Sequence, residues 1–583
     1  MWRRILQNQN KVRECLFLSL FVLGVMFLRL FYITRTFGPF IYADEFGYWS
    51  HAAHMAGHTW AGVMDGVSWY SFGYSFWLAV MFLFSDKMVV MYRGAILLNL
   101  LMSLGVYALA YHTIRKYAKE LGVVTCGLIA FAVTSFPTYI FYSYTTMAET
   151  LVALVVWLLF YELISLEEKP VWWKGILLGV TSGYAYMVHN RMLTAVLAVT
   201  VCLAVLWFMR KIDWRVMLSF GISLLLMIAV YVFVKNSLDS MVVANKTVAD
   251  TGTVVTRGNY NTLSFMVNKF RKVVRPEKIG KLVLSALGEL WQFLSSAYLL
   301  TGLGAAAGIL YLKKNIRIGQ HLCSYAYPMI AVLISVAMTA VATLGGLTQE
   351  NGRVRIDRLF YGRYNECYFP MIIMLALIML CTEETGSILK ISLGVIVVYL
   401  CLSVGMFFRL RGIENGYLNI VSSVSVHIFH WLGEFSVWKC SVIALIGGGI
   451  VVVLCRFKRM GQLGCWAGML ALIFLFSTTA LYCMRMSIRG ENDYTLRYTP
   501  VYDYLNANTV QEEVVYICEK DKAAFDLQSR LVNKSVVSIL LERLSEINEE
   551  AYVVIREEQM DELPITEYEV CLECEEFLVL RLK

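Results

Sequence analysis

Charge is scarce in this chain. Only 16% of its 583 residues are Asp, Glu, Lys or Arg, whereas globular domains carry about a quarter. Hydrophobic residues make up 58%. That balance excludes an ordinary water-soluble domain and implies repeated membrane spans. The chain has no G-x-G-x-x-G and no P-loop, so nothing in it points to a soluble nucleotide cofactor. The first apolar run, 15–34, lacks a small-residue cleavage site and is followed by further spans. It reads as a retained signal-anchor helix, not a cleaved signal peptide. No internal repeat stands out, although many secondary transporters are built from repeated halves. Fourteen cysteines are present, but most, such as Cys126, Cys202, Cys323, Cys401 and Cys455, fall inside apolar runs, where they act as small hydrophobes. Cys518, Cys571 and Cys574 lie near the C-terminus. Cys571-x-x-Cys574 has no second pair or histidines to complete a metal site.

A span needs about 20 apolar residues. That length predicts thirteen helices, near 15–34, 88–112, 122–141, 148–166, 174–189, 191–209, 216–234, 288–311, 322–344, 365–381, 387–406, 438–456 and 464–485. The stretch 174–209 divides into two short spans that turn at His189-Asn190-Arg191. Arg3, Arg4, Lys11 and Arg13 precede the first span, which places the N-terminus in the cytoplasm. Arg115, Lys116 and Lys119, then Lys169 and Lys174, Arg210, Lys211 and Arg215, Lys313, Lys314 and Arg317, and Arg456, Lys458 and Arg459 then all fall on the cytoplasmic side. An odd number of spans puts the C-terminus outside. Residues 486–583 hold 21 acidic and 10 basic residues, a net of −11 in a chain of +8, which leaves +19 on residues 1–485. The two parts are expected to be a membrane domain, 1–485, and a small extracytoplasmic α/β domain, 486–583. In the latter, Val514–Ile517 and Ala551–Ile555 read as strands and Ala523–Val532 as a helix. Val570-Cys571-Leu572 and Phe577–Leu582 read as a closing hairpin.

The chemistry concentrates on the outer side. Asp44-Glu45, with Tyr48 one helical turn on, follows the first span, and carboxylates at that depth are expensive unless they do something. Tyr42–Gly57 has helical character, and the aromatic-rich Trp69–Phe84 fits an interfacial stretch. His51, His54 and His58 share one helix face at i, i+3, i+7. That suits either a zinc site or polar rings facing lipid headgroups. Glu149 stands at the outer start of a span among Tyr139, Tyr142, Tyr144, Thr145 and Thr146. It either answers the helix dipole or faces the cavity that Asp44 faces. Two outer loops are basic against the topology rule. The first is Lys269-Phe-Arg271-Lys272-Val-Val-Arg275-Pro-Glu-Lys278-Ile-Gly-Lys281, which suits anionic headgroups. The second is Arg353-Val-Arg355-Ile-Asp357-Arg358, followed by Tyr361-Gly-Arg363-Tyr364-Asn-Glu366. In it the arginine forks suit phosphate oxygens, Arg363 above all.

Carboxylates and cations around one outer cavity are the parts that glycosyl transfer from a lipid phosphate needs. A carboxylate takes the proton of the attacking hydroxyl, and cations stabilise the departing phosphate. A transporter or flippase of lipid-linked sugars is the alternative. Such proteins place charges near the membrane midplane, and here the mid-span regions are almost free of charge. A scaffold would not explain why acids and arginines share one side.

Tyr42-Ala-Asp44-Glu45-Phe-Gly-Tyr48 with Ala53 and Gly57, then Trp69-Tyr-Ser-Phe-Gly73-Tyr74, Arg93, Glu149 and Tyr361-Gly-Arg363-Tyr364-Asn-Glu366…Pro370, carry a resemblance. Across residues 1–485 the chain resembles the GT-C class of polyprenyl-phosphate-dependent glycosyltransferases. Within that class it is most similar to the bacterial protein O-mannosyltransferase and aminoarabinose transferase-like group. The sequence departs from the pattern at Ser71-Phe72, where many relatives carry prolines. The resemblance implies a polytopic α-helical GT-C fold of about thirteen spans with interfacial helices in the first outer loop, in a bacterial plasma membrane. It implies an undecaprenyl-phosphate-linked sugar donor, an acceptor hydroxyl on a glycan, lipid or protein, and inversion at the anomeric carbon. No nucleic-acid partner is expected. Asp44 maps to the general base. Glu45 and Glu149 are expected beside it, positioning substrate or holding a metal. Tyr48, Arg191, Tyr361, Arg363, Tyr364 and Glu366 are expected to bind substrate. Some relatives hold a divalent metal near the acidic residues and others do not, so this chain's need for one stays open.

Overall fold

The computed structural model describes residues 2–58, 60–63, 71–244, 268, 271, 275–316, 321–344, 347–350, 352–427, 435–456, 461–510, 513–519, 522–547, 550–563 and 568–582. Trp69, Lys269, Lys272, Arg317, Lys458 and Arg459 lie outside them.

Each of the thirteen expected spans falls on a helix or a broken helix pair, but fewer are long enough to cross a membrane. Nine helices among the described residues qualify by length and composition, or eleven if two bent pairs count as spans. Val123–Thr134 and Pro137–Tyr144 meet at 73°, and Pro276–Ser295 and Leu300–Asn315 at 99°. The second break has a local cause. Tyr298 and Leu299 both take positive φ, 53° and 68°, a conformation no helix continues through. The remaining two expected spans are the 17-residue helix Trp172–Val188 and the 14-residue helix Phe369–Thr382. Phe369–Thr382 lies in the middle of the bundle, with Phe369 to Leu380 buried on every face, as a helix that is apolar all round should be.

The helices define two ends. At the lower end the Lys116 ammonium meets Glu168 at 2.6 Å. Glu167 accepts hydrogen bonds from the amides of Leu322 and Cys323 at 2.6 and 3.0 Å, capping the exposed N–H groups of Leu322–Thr343. Arg456 donates to the carbonyl of Leu380 and the hydroxyl of Thr385. At the upper end the chain leaves the first span and forms the helix Tyr42–Met55. Phe76, Trp77, Leu83 and Phe84, on the short helices that follow, are exposed apolar side chains, as an interfacial stretch requires.

The expected boundary at 485/486 falls inside one unbroken helix, Gln462–Asn508, of 47 residues. It carries the chain from the bundle into a five-stranded sheet ordered Ser535–Ser538, Val514–Ile517, Ala551–Arg556, Phe577–Leu582, Tyr568–Cys574. The first three strands are parallel and the last two add antiparallel. The expected strands, helix and hairpin are all present; Ser535–Ser538 is an additional strand at the sheet edge.

This tail roofs the first loop. The Phe46 ring stacks between Trp60, at 5.6 Å, and Phe525 of the tail helix Lys522–Arg530, at 4.5 Å. The Trp60 indole donates to the Val532 carbonyl at 3.0 Å, and Arg530 donates to the Phe37 carbonyl at 2.7 Å. A Cβ on Gly62 would lie 2.4 Å from the Val536 carbonyl oxygen, so only glycine lets the loop reach the sheet edge. Truncating the stacked ring, Phe525→Ala, is expected to destabilise this junction by about 3 kcal/mol. A melting temperature equal to that of the wild-type protein would remove the stack as a structural element.

Candidate functional site at the upper end

Four charged side chains reach one point from four separate helix starts. Asp44 lies in the first turn of Tyr42–Met55, and Glu149 opens Glu149–Glu168. Both carboxylates therefore sit at the positive end of a helix dipole. Arg191 lies in the tight turn Asn190–Met192, which leads into the next span, and Arg363 in the turn Gly362–Tyr364. The Arg363 guanidinium bridges the acids: Nε donates to Glu149 Oε1 at 2.7 Å and Nη1 to Asp44 Oδ2 at 2.5 Å. Arg191 Nη2 stands 3.3 Å from the same Glu149 oxygen. Side-chain exposure is 8% for Arg363, 9% for Arg191 and 5% for Glu149, but 24% for Asp44. Asp44 is the member of the bridge that an incoming molecule can touch.

Burial opposes the charge on Arg363, yet Glu149 and Asp44 outweigh burial and raise its pKa, so it stays protonated. The Arg191 guanidinium lies over the Tyr364 ring at 5.3 Å, and Tyr364 meets Tyr361 edge-on at 4.8 Å. Tyr48 is buried beside the bridge. Burial first, then the charge of Glu149, holds its phenol protonated. Beside the bridge lies a narrow, partly open chamber of about 20 Å³ whose lining includes Arg29, Thr138, Tyr142, Glu149, Arg191 and Arg363.

Two expected members stand elsewhere. Glu45 is fully buried, and both its oxygens are used for tying chain segments together. Oε1 accepts from the amides of Phe40 and Ile41, each at 2.9 Å. Oε2 accepts from the Tyr92 hydroxyl at 2.8 Å and from the Thr146 amide and hydroxyl at 2.7 and 2.5 Å. One residue along a helix is a rotation of about 100°, so neighbours in sequence face different surroundings. Glu366, expected to bind substrate, points into the protein. Thr138, Ser425 and Gln292 donate to its carboxyl. A second buried acid, Glu289, which sequence reading did not single out, accepts from the Tyr361 amide and from Asn365 Nδ2, each at 2.7 Å. Asn365 Oδ1 in turn accepts from Ser335 and Thr339. A Cβ on Gly362 would lie 2.2 Å from Glu366 Oε1 and 2.4 Å from Gln292 Nε2. These contacts fix the turn that aims Arg363.

The basic loops separate in the same way. Arg355 pairs with Asp357 at 2.7 Å and donates to Ser422, and Arg353 lies over Tyr417. Arg271, Arg275 and Lys281 are exposed. Of the cations expected from these loops, Arg363 reaches the acids. Among the described residues no group of three or more His, Cys, Asp or Glu side chains is placed to hold a metal ion, the three histidines included. Asp44 and Glu149 direct oxygens at a guanidinium, so the donor set does not fit a divalent cation. Arg29 is a further charge near the site that sequence reading did not single out. Its signal was visible as a lone arginine inside the first apolar run.

No family model and no curated protein matches this chain. Solved structures do match in fold. ArnT from Cupriavidus metallidurans in the apo state, and the same protein bound to undecaprenyl phosphate, each superpose with a TM-score of 0.53. The alignments cover 97% of this chain and 97% of ArnT at 12% identity. The chain thus has an ArnT-like GT-C fold over nearly its whole length, tail included.

Glu366 gives this network a pH signature. Burial pushes its carboxyl up to about 7. A folded-state pKa above the ordinary 4.5 means the folded protein holds a proton that the unfolded chain has lost. The stability it contributes is complete below pH 4.5 and is lost as pH rises through about 7, on the order of 3 kcal/mol. Melting temperatures should therefore fall from about pH 5 to about pH 8, and Glu366→Gln should flatten the slope. An identical slope in the variant would show that the carboxyl is ionised throughout.

Proposed function

We propose that this protein is an inverting membrane glycosyltransferase that moves a sugar from a polyprenyl-phosphate donor to an acceptor hydroxyl on a glycan, lipid or protein. The site works on the outer face of a bacterial plasma membrane, with the N-terminus in the cytoplasm and the tail outside. The observation that carries this reading is the Arg363 bridge between Asp44 and Glu149, at 2.5 and 2.7 Å, in a fold shared with ArnT. Undecaprenyl phosphate bound to that protein supports a lipid phosphate as the ligand here. The lysines and arginines at the lower end support the orientation.

The donor phosphate competes with Asp44 for the Arg363 guanidinium, whose planar fork suits phosphate oxygens. Arg191 lies within reach of the same anion, and Glu149 keeps both guanidiniums in place. Asp44, released from Arg363, accepts the proton of the acceptor hydroxyl. The acceptor oxygen attacks the anomeric carbon, the bond from that carbon to the phosphate oxygen breaks, and polyprenyl phosphate departs with the bonding pair. Attack opposite the leaving group inverts the centre. Negative charge that grows on the phosphate is met by arginines already ordered in a dry site, where they act most strongly.

Asp44→Asn is expected to lower sugar transfer about 1,000-fold while donor binding persists, as read with a radiolabelled polyprenyl-phosphate sugar. Substantial transfer by the folded variant would remove Asp44 as the base. Arg363→Ala is expected to weaken undecaprenyl phosphate binding at least about tenfold. Unchanged affinity would overturn the phosphate assignment.

A further inference from the structure

Arg29 lies within the first span, which runs Lys11–Arg35, and is 1% exposed. An ionised side chain in that position is costly and calls for a named partner. Its hydrogen bonds account for only part of it. Nη2 donates to the Thr134 carbonyl at 2.7 Å and Nη1 to the Val25 carbonyl at 3.3 Å. The Thr134 bond caps Val123–Thr134 where that helix pair breaks by 73°, and any donor of similar length could make it. No carboxylate pairs with Arg29 among the described residues, and its Nε is buried without a hydrogen-bond partner there. A helix's C-terminal carbonyl favours a cation, but it does not neutralise one as a carboxylate would.

What the charge faces is the chamber beside the ion bridge. Arg29 lines it together with Glu149, Arg191 and Arg363, and Glu149 Oε2 is likewise buried without a partner among the described residues. Asp44 and Glu149 balance Arg191 and Arg363, so Arg29 leaves the group with one positive charge in surplus. A group that awaits an anion requires that surplus; a self-contained ion pair does not. The chamber, at about 20 Å³, has room for ordered water. Arg29 shares this cavity with the bridge, in buried surroundings where screening is weak.

We propose that Arg29 is a third cation of the lipid-phosphate site, a positioning residue that favours the phosphate from within the membrane through its charge. This rests on the reading of the site as one for a polyprenyl phosphate. The test is binding of undecaprenyl phosphate, and of undecaprenol as the neutral comparison, to detergent-solubilised full-length protein. Arg29→Gln keeps a polar donor and loses the charge; Arg29→Lys keeps the charge and most of the reach. Arg29→Gln is expected to weaken the phosphate about tenfold, to leave undecaprenol affinity unchanged, and to melt within a few degrees of the wild type. Arg29→Lys is expected to bind the phosphate within about threefold of the wild type. Equal phosphate affinity in folded Arg29→Gln overturns the proposal, as does an equal loss of phosphate and undecaprenol, which marks a purely structural cap. If Arg29→Gln does not fold, Arg29→Lys alone decides, and a tenfold loss in that folded variant overturns it. Arg363→Ala separates the two ideas. If it too leaves phosphate affinity unchanged, the phosphate reading itself has failed; if it weakens binding while Arg29→Gln does not, only the role of Arg29 has failed.

Discussion

The site depends on one guanidinium held between two carboxylates with little water around it. Each of these ions alone would be costly at that depth. Together they are tolerable, and the geometry of Arg363 explains why: Nε and Nη1 point in directions that match Glu149 and Asp44. The bridge joins elements far apart in the chain, the first loop, the start of Glu149–Glu168 and the turn before Phe369–Thr382. No pair of neighbouring elements can form it. It exists only when the bundle has assembled.

The surroundings serve that bridge by fixing backbone rather than by adding charge. Glu45 gathers the segment before Tyr42–Met55 against Tyr92 and Thr146. Glu289, Gln292 and Glu366 hold the Gly362–Tyr364 turn from behind. The carboxyls within these networks are therefore of two kinds. Asp44 and Glu149 meet cations, whereas Glu45, Glu289 and Glu366 meet amides and hydroxyls. Only the first kind holds cations for which a substrate anion can compete.

Much of this was legible in the residues, and the parts that were not have physical reasons. Asp44, Glu149 and Arg363 stood out because charges in apolar surroundings are rare and need a cause. Arg191 was marked by the turn it occupies. Hydropathy located every helix but could not say which were too short or broken, because the break at Tyr298-Leu299 is a matter of φ and not of polarity. Glu45 and Glu366 were placed in the site on adjacency, and adjacency does not reveal direction. Glu289 was hidden in a run expected to open a span. Arg29 was passed over because one arginine barely dents the hydropathy of Lys11–Arg35. The strand Ser535–Ser538 has only two apolar residues, Val536 and Val537, between serines, too few to read as a buried strand.

The 47-residue helix Gln462–Asn508 extends about 70 Å at the usual rise, more than twice the thickness of a bilayer's hydrocarbon core. It works as a lever whose lower arm lies in the bundle and whose upper arm leads to the tail, where the helix Lys522–Arg530 covers Phe46, two residues from Asp44. A rigid lever converts a change of tilt at one arm into a sideways displacement at the other. Helix tilt answers to bilayer thickness, so the seating of the tail over the first loop is tied geometrically to the membrane around the bundle.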